Sequence, residues 1–136
     1  MRKSYYLLIA LLLGGSLGFA QNTVGVLSFD GTQAYDGYNL LYPYNQASVY
    51  LLDNCGRVVH EWPDTAGVVP GNSLQMREDG SILKTKRDVS VVGDTIAITG
   101  GQGEYLEIRD WDNNVTWSYE LNNGTYRLHH DAVFMP

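Results

Sequence analysis

The residues best suited to chemistry stand together near the C-terminal end of the chain: His129, His130 and Asp131. An imidazole beside a carboxylate can be held in one tautomer with its basicity raised. That suits a general base, a general acid or a nucleophile. The competing reading of the same three residues is a polar start to a strand. His60 lies between Val59 and Glu61 in an alternating stretch, and Trp117 occupies the matching place 57 residues on. A position that accepts either His or Trp reads as packing rather than catalysis.

Other residue types point to less. Cys55 is the single cysteine, so no internal disulfide can close. Asp53 nearby denies it the basic setting of a reactive thiol, and it reads as structural, buried or packed in a turn. Asp110, Asp112 and Asn114 have calcium-loop spacing. Val115 occupies the place of the required glycine and Leu121 that of the bidentate Glu, which excludes the motif. Gly100-Gly101-Gln102-Gly103 lacks the Lys-Ser/Thr of a phosphate loop and precedes Glu104, so it reads as a flexible lead-in. The histidine pair has no third ligand in view, so no metal is expected, and nothing calls for a cofactor. Asn114-Val115-Thr116 and Asn123-Gly124-Thr125 are formal glycosylation sequons that mean little in a bacterial protein.

The elements that must position these residues are strands. The chain has 136 residues, with 44% hydrophobic and 18% charged side chains, a composition that excludes disorder. Acids outnumber bases 15 to 9, for a net charge of −6, which argues against nucleic-acid or anionic-membrane partners. Fifteen Gly and ten Tyr suit short strands and tight turns. Strand patterns fall at Val49–Leu52, Arg57–Trp62, Gly71–Met76, Ser81–Thr85, Thr95–Ile98, Tyr105–Arg109 and Val115–Tyr119. Glu78-Asp79-Gly80 marks a hairpin. No sustained helical period appears past the first 20 residues, so the class expected is all-β.

Those first residues read as a signal peptide over 1–20. Arg2-Lys3 is the basic region, Tyr5 to Leu13 the apolar run, and Gly18-Phe19-Ala20 the cleavage site. The run is too short for a membrane span, which takes about 20 residues. Export to the periplasm, the cell surface or the medium is the expectation, with no membrane span in the mature chain.

Two hairpins repeat. Asp53-Asn54-Cys55-Gly56-Arg57-Val58-Val59-His60-Glu61-Trp62 aligns with Asp110 to Tyr119, 57 residues on. Ser73-Leu74-Gln75-Met76 then matches Asp131-Ala132-Val133-Phe134 at an offset of 58, which makes the latter a predicted strand. Such spacing is that of four-stranded propeller blades, with Trp62, Trp117 and Tyr119 filling the gaps between neighbours. The division expected is therefore lead-in strands over 21–48 and opening blades over 49–136. Propellers typically have four to eight blades and this length holds at most two, so the expectation is an incomplete β-propeller, the N-terminal fragment of a longer protein.

Gly37-Tyr38-Asn39-Leu40, the Val49–Trp62 hairpin, Asp110-Trp111-Asp112 and His129-His130-Asp131, in that order, resemble the arylsulfotransferase (aryl-sulfate sulfotransferase) family. The resemblance runs from about Gly37 onward. It implies an exported six-bladed propeller that passes a sulfuryl group from a phenolic ester to a phenol through a histidine intermediate, without a nucleotide donor. It implies a central site fed with histidines by several blades, His129 and His130 being the first contributors and His130 the one facing the channel. The covalent nucleophile and the anion-binding Arg would lie beyond Pro136, and Arg127 matches no family motif. A non-catalytic propeller binding glycan or protein, or a quinoprotein-like one, remains the alternative, because one fold hosts all three.

Overall fold

The computed structural model describes residues 26–44, 46–89, 101–123 and 125–135. The leader expected at 1–20 and the strand expected at Thr95–Ile98 lie outside the described residues. Among the described residues seven strands form two antiparallel sheets, and there is no helix. Consequently no described helix is long and apolar enough to cross a membrane. The first sheet is β1 (Tyr38–Leu41), β2 (Val49–Asp53) and β3 (Val58–Trp62), in that order. The second is the meander β4 (Val68–Met76), β5 (Ile82–Asp88), β6 (Tyr105–Arg109) and β7 (Val115–Glu120).

The hairpin repeat is a repeat of geometry. In β2–β3 the register shifts between Leu51 and Leu52, and in β6–β7 it shifts between Ile108 and Arg109, at matching positions. Asp53 N donates to Arg57 O at 3.0 Å and Gly56 N to Asp53 O at 2.9 Å. Asp110 N donates to Asn114 O at 3.0 Å and Asn113 N to Asp110 O at 3.1 Å. Gly56 and Asn113 sit at φ 78° and 68°, the left-handed conformation that Gly and Asn accept most readily. Each Asp carboxylate also accepts a backbone N–H across its turn, from Arg57 at 2.9 Å and from Asn114 at 2.8 Å. These short side chains close the loops and explain why Asp heads both copies. Cys55 is exposed within the first turn, so its packing is that of a turn residue and not of a buried thiol.

Alternation along the strands puts one face of each sheet toward the other. Val49, Leu51 and Trp62 of the first sheet meet Ile82 of the second, with Leu40, Tyr42 and Leu74 around them. Trp62 is fully buried and donates its indole N–H to Asp110 O at 2.9 Å. His60 stacks on Trp111 at 4.0 Å between ring centroids and reaches Trp111 O through Nε2 at 2.8 Å. His60 is thus a packing residue, placed where the second hairpin turn docks onto the first sheet.

Beside this apolar core lies a buried ionic cluster. Asp64, in the loop leaving β3, contacts Lys84 Nζ at 2.8 Å, Lys86 Nζ at 3.3 Å and Arg109 Nη2 at 3.0 Å, all through Oδ2. Glu107 pairs with Lys86 at 2.6 Å and with Arg109 at 3.0 Å. Arg109 also donates to Pro63 O at 3.1 Å and Asn113 Oδ1 at 2.9 Å. The Lys84 side chain is wholly buried. A lone charge there would be costly, so the cluster holds the Pro63-Asp64 loop against β5 and β6.

Of the aromatics expected between neighbouring sheets, Trp62 is covered, while Trp117 and Tyr119 are each 47% exposed and all of β7 faces solvent. One expectation is corrected. The strand expected at Asp131–Phe134 does not form. That segment runs beside β4 but is held through side chains: Ser73 Oγ donates to Ala132 O at 3.0 Å and Gln75 Nε2 donates to the same oxygen at 2.9 Å. Arg77 lies over the Phe134 ring at 5.0 Å. A side chain stands between the two backbones, too far for a ladder.

Candidate functional site

The site is built by a chain reversal. Asn123 Oδ1 accepts from Thr125 N at 3.1 Å and Tyr126 N at 2.8 Å, closing a tight turn. Asn122 and Arg127 then form a bridge, and Leu128 N donates to Leu121 O at 3.0 Å. The returning chain lies along the glycine segment: Gly103 N donates to Leu128 O at 2.9 Å, Gln102 bridges His129, and His130 N donates to Gly101 O at 2.6 Å. Gly101–Gly103 is therefore the pairing partner of the histidines and not a loose lead-in; Gly100 lies outside the described residues. A Cβ on Gly101, whose φ is +86°, would run into the His130 imidazole. The absence of a side chain there is what lets the ring lie close.

Both imidazoles are exposed and meet edge to face, with centroids 4.2 Å apart. His130 sits at φ 60°, a left-handed backbone that costs a non-glycine residue about 1–2 kcal/mol. Such local strain is concentrated at functional positions. Asp131 does not serve the histidines. Its Oδ1 accepts from Ser73 Oγ at 2.9 Å and from Ala132 N at 2.9 Å, and among the described residues it makes no hydrogen bond to either ring. The carboxylate expected to orient an imidazole instead ties the segment to β4. Neighbours in sequence diverge, and the left-handed turn at His130 sends Asp131 back to the sheet.

Ser73 links this segment to a groove. A cavity of about 370 Å³ is walled by Leu40, Tyr42, Tyr44, Asn72, Ser73 and Leu74. It opens where the β4–β5 register shifts between Pro70 and Leu74, with Asn72 at φ 80°. Tyr42 Oη is buried without a hydrogen-bond partner among the described residues, and Lys84 Nζ lies over its ring at 5.0 Å. Burial first, then the Asp64 charge, pushes the Tyr42 phenol above its ordinary pKa. Burial lowers Lys84, with the Asp64 hydrogen bond opposing. For Asp64, burial acts upward, but the Lys84 hydrogen bond and charge, Thr65 N–H and Arg109 outweigh it and hold the carboxyl well below the usual range.

No free arginine faces the histidines from their own loop. The Arg127 side chain is buried and pairs with Glu104 at 3.5 Å, and Asn122 Nδ2 donates to the same carboxylate at 3.0 Å. Among the described residues no three His, Cys, Asp or Glu side chains gather closely enough to hold a metal ion. Sequence reasoning missed Ser73, Gly101 and the Tyr42 groove. Its one usable signal was the alignment of Ser73 with Asp131, 58 residues apart and in contact. No family model, curated protein or solved structure matches the chain.

Proposed function

We propose that the two sheets are successive blades of a β-propeller and that the chain is the opening part of an exported aryl-sulfate sulfotransferase. The observation that carries the reading is the Ser73–Asp131 contact. Equivalent residues of two repeats stand side by side, and the following pairs, Gln75 with Ala132 and Arg77 with Phe134, run on in the same direction. Adjacent, co-directional innermost segments are what a ring of blades has at its axis. His129 and His130 enter at the head of the second such segment.

On this reading the exposed imidazole of His130 serves the central channel. A histidine nitrogen attacks the sulfur of an aryl sulfate, an N–S bond forms as the S–O bond to the phenol breaks, and the phenolate leaves with a proton from a neighbouring imidazolium. An acceptor phenol reverses the two displacements. His130 is the proton-donating or oxygen-stabilising partner, and His129 buttresses it edge to face. The diversion of Asp131 to Ser73 favours a second reading, a propeller that binds glycan or protein without chemistry.

The test is transfer from an aryl sulfate to a phenol by the full-length protein of which this chain is the opening part, with no nucleotide donor. His130→Ala should lower the rate by about 10²–10⁴-fold. An unchanged rate, or no transfer by the unaltered protein, refutes the catalytic reading in favour of the binding one.

A further inference from the structure

We propose that Asn72 is a substrate-holding residue, whose side-chain amide binds the ring-borne oxygen of an aryl sulfate or phenol seated in the Tyr42 groove. The inference takes the aryl class of ligand from the function proposed above; the place of Asn72 comes from the internal repeat.

Three non-glycine residues among those described have positive φ: Asn72 at 80°, Asn113 at 68° and His130 at 60°. A side chain is strained there, and glycine would not be. Asn113 has a structural reason. Its Oδ1 accepts from Arg109 Nη1 at 2.9 Å, and its Nδ2 donates to Pro63 O at 3.0 Å. The other two share a place in the repeat. Ser73 and Asp131 are equivalent and in contact, so one residue earlier Asn72 is the counterpart of His130. Both repeats therefore turn left-handed at the same position, and both carry an exposed polar side chain there. The Asn72 amide makes no hydrogen bond among the described residues, so no internal bond accounts for it. Strain kept in both repeats for side chains that face outward marks a ligand-facing position.

The backbone at Asn72 is fixed before any ligand arrives. A Cβ on Gly71 would lie 3.0 Å from Thr85, and Ser73 N donates to Thr85 Oγ1 at 2.8 Å, so the chain is held on both sides. Such order lowers the cost of binding. The groove beside it, of about 370 Å³, has Leu40, Leu41, Tyr42 and Tyr44 on one side and Pro70 and Leu74 on the other. Both walls belong to the described residues, and their volume and apolar lining suit one substituted aromatic ring. Ser73 Oγ is already bonded to Asp131 and to Ala132 O, which leaves the Asn72 amide to meet the ligand. A neutral amide does not titrate, so Asn72 holds an oxygen without moving a proton. That complements His130, which lies across the Ser73–Asp131 contact. An aryl sulfate and a phenol each offer a ring for the groove and an oxygen for the amide.

The experiment compares the full-length protein with its Asn72→Gly variant, using nitrophenyl sulfate as donor and phenol as acceptor. Glycine relaxes the left-handed backbone, so if Asn72 only shapes the bulge, KM is unchanged and the urea midpoint is equal or higher. A substrate-holding Asn72 gives instead a KM about 3- to 10-fold higher, the loss of one hydrogen bond, with kcat changed less and stability kept. Tyr44→Ala, at the exposed rim of the groove, should raise KM in the same sense. It tests the groove even if Asn72→Gly misfolds, and a KM it leaves unmoved overturns the seating of the ring. Transfer with an unchanged KM in Asn72→Gly overturns the role of Asn72 and leaves the sulfotransferase reading standing. If the unaltered protein transfers nothing, that reading fails, and calorimetric titration with phenol decides on Asn72. Weaker phenol binding by Asn72→Gly supports the site; equal binding, or none by the unaltered protein, overturns it.

Discussion

Replacing Asp64 by Asn tests whether the ionic cluster holds the two sheets together. The carboxylate meets three cations through one oxygen, at 2.8, 3.0 and 3.3 Å. At an effective dielectric near 20, one such contact is worth about 5 kcal/mol before desolvation is subtracted. The cluster holds three cations against Asp64 and Glu107, so its excess positive charge doubles when Asp64 is neutralised. Uncompensated, the buried ammonium of Lys84 and the guanidinium of Arg109 repel each other, and removing one partner of a buried pair costs about 3–5 kcal/mol. A domain of this size has roughly 5–15 kcal/mol of stability in total. With a urea slope of about 2 kcal/mol/M, the unfolding midpoint falls by about 2 M. Near-UV circular dichroism during urea titration reads this directly, because Trp62 and Trp111 pack at the sheet junction. The control is Asp53→Asn, which loses only the exposed pairing with Arg57 and should shift the midpoint far less. A loss below about 1 kcal/mol for Asp64→Asn would show that the cluster is ornamental and that apolar packing alone joins the sheets.

Acid should undo the same junction. The folded-state pKa of Asp64 is depressed below the unfolded value of about 3.9, so its contribution is complete above roughly pH 5 and is lost as pH falls through 4 toward the folded value. Stability measured between about pH 6 and pH 2 should therefore drop with a slope that Asp64→Asn flattens, and equal slopes in the two proteins would contradict the assignment. Gly101→Ala places a Cβ against the His130 imidazole at a left-handed backbone position. It should move the His130 ring resonances in an NMR spectrum while leaving those of the Asp53–Arg57 turn in place; an unmoved His130 would show that the ring does not rest on that glycine.

Strands β2 to β7 and both turns were legible because they are written in local chemistry. Asp at the head of each hairpin, Gly56 and Asn113 at the left-handed position, and alternation into Trp62 and Tyr119 all act within ten residues. What acts across the sheets was not legible. Lys84, Glu107 and Arg109 look like ordinary strand charges, and only the fold brings the Asp64 loop onto them. The histidines were picked out by type, but their partners were not. Asp131 is adjacent in sequence yet bonds Ser73, while Gly101, read as slack, is a steric requirement of the His130 ring.

The repeat and the cluster together explain why the sheets join in one order. Backbone geometry is shared by both hairpins, so shape alone would let either sheet take either side of the junction. The side chains remove that freedom. The Asp64 loop needs a face with Lys84, Lys86 and Arg109, and at the counterparts of Lys84, Glu107 and Arg109 the first sheet carries Leu41, Tyr50 and Leu52. An inverted pairing would bury a carboxylate against leucine and leave three cations without it, at a cost of several kcal/mol. The face left open on β7 is free of that constraint, because Trp117 and Tyr119 sit where His60 and Trp62 sit in the first copy and neither is charged. A fixed ionic junction on one side and an apolar face on the other give each sheet pair a direction. That polarity is what a chain needs to add sheets head to tail without pairing face to face.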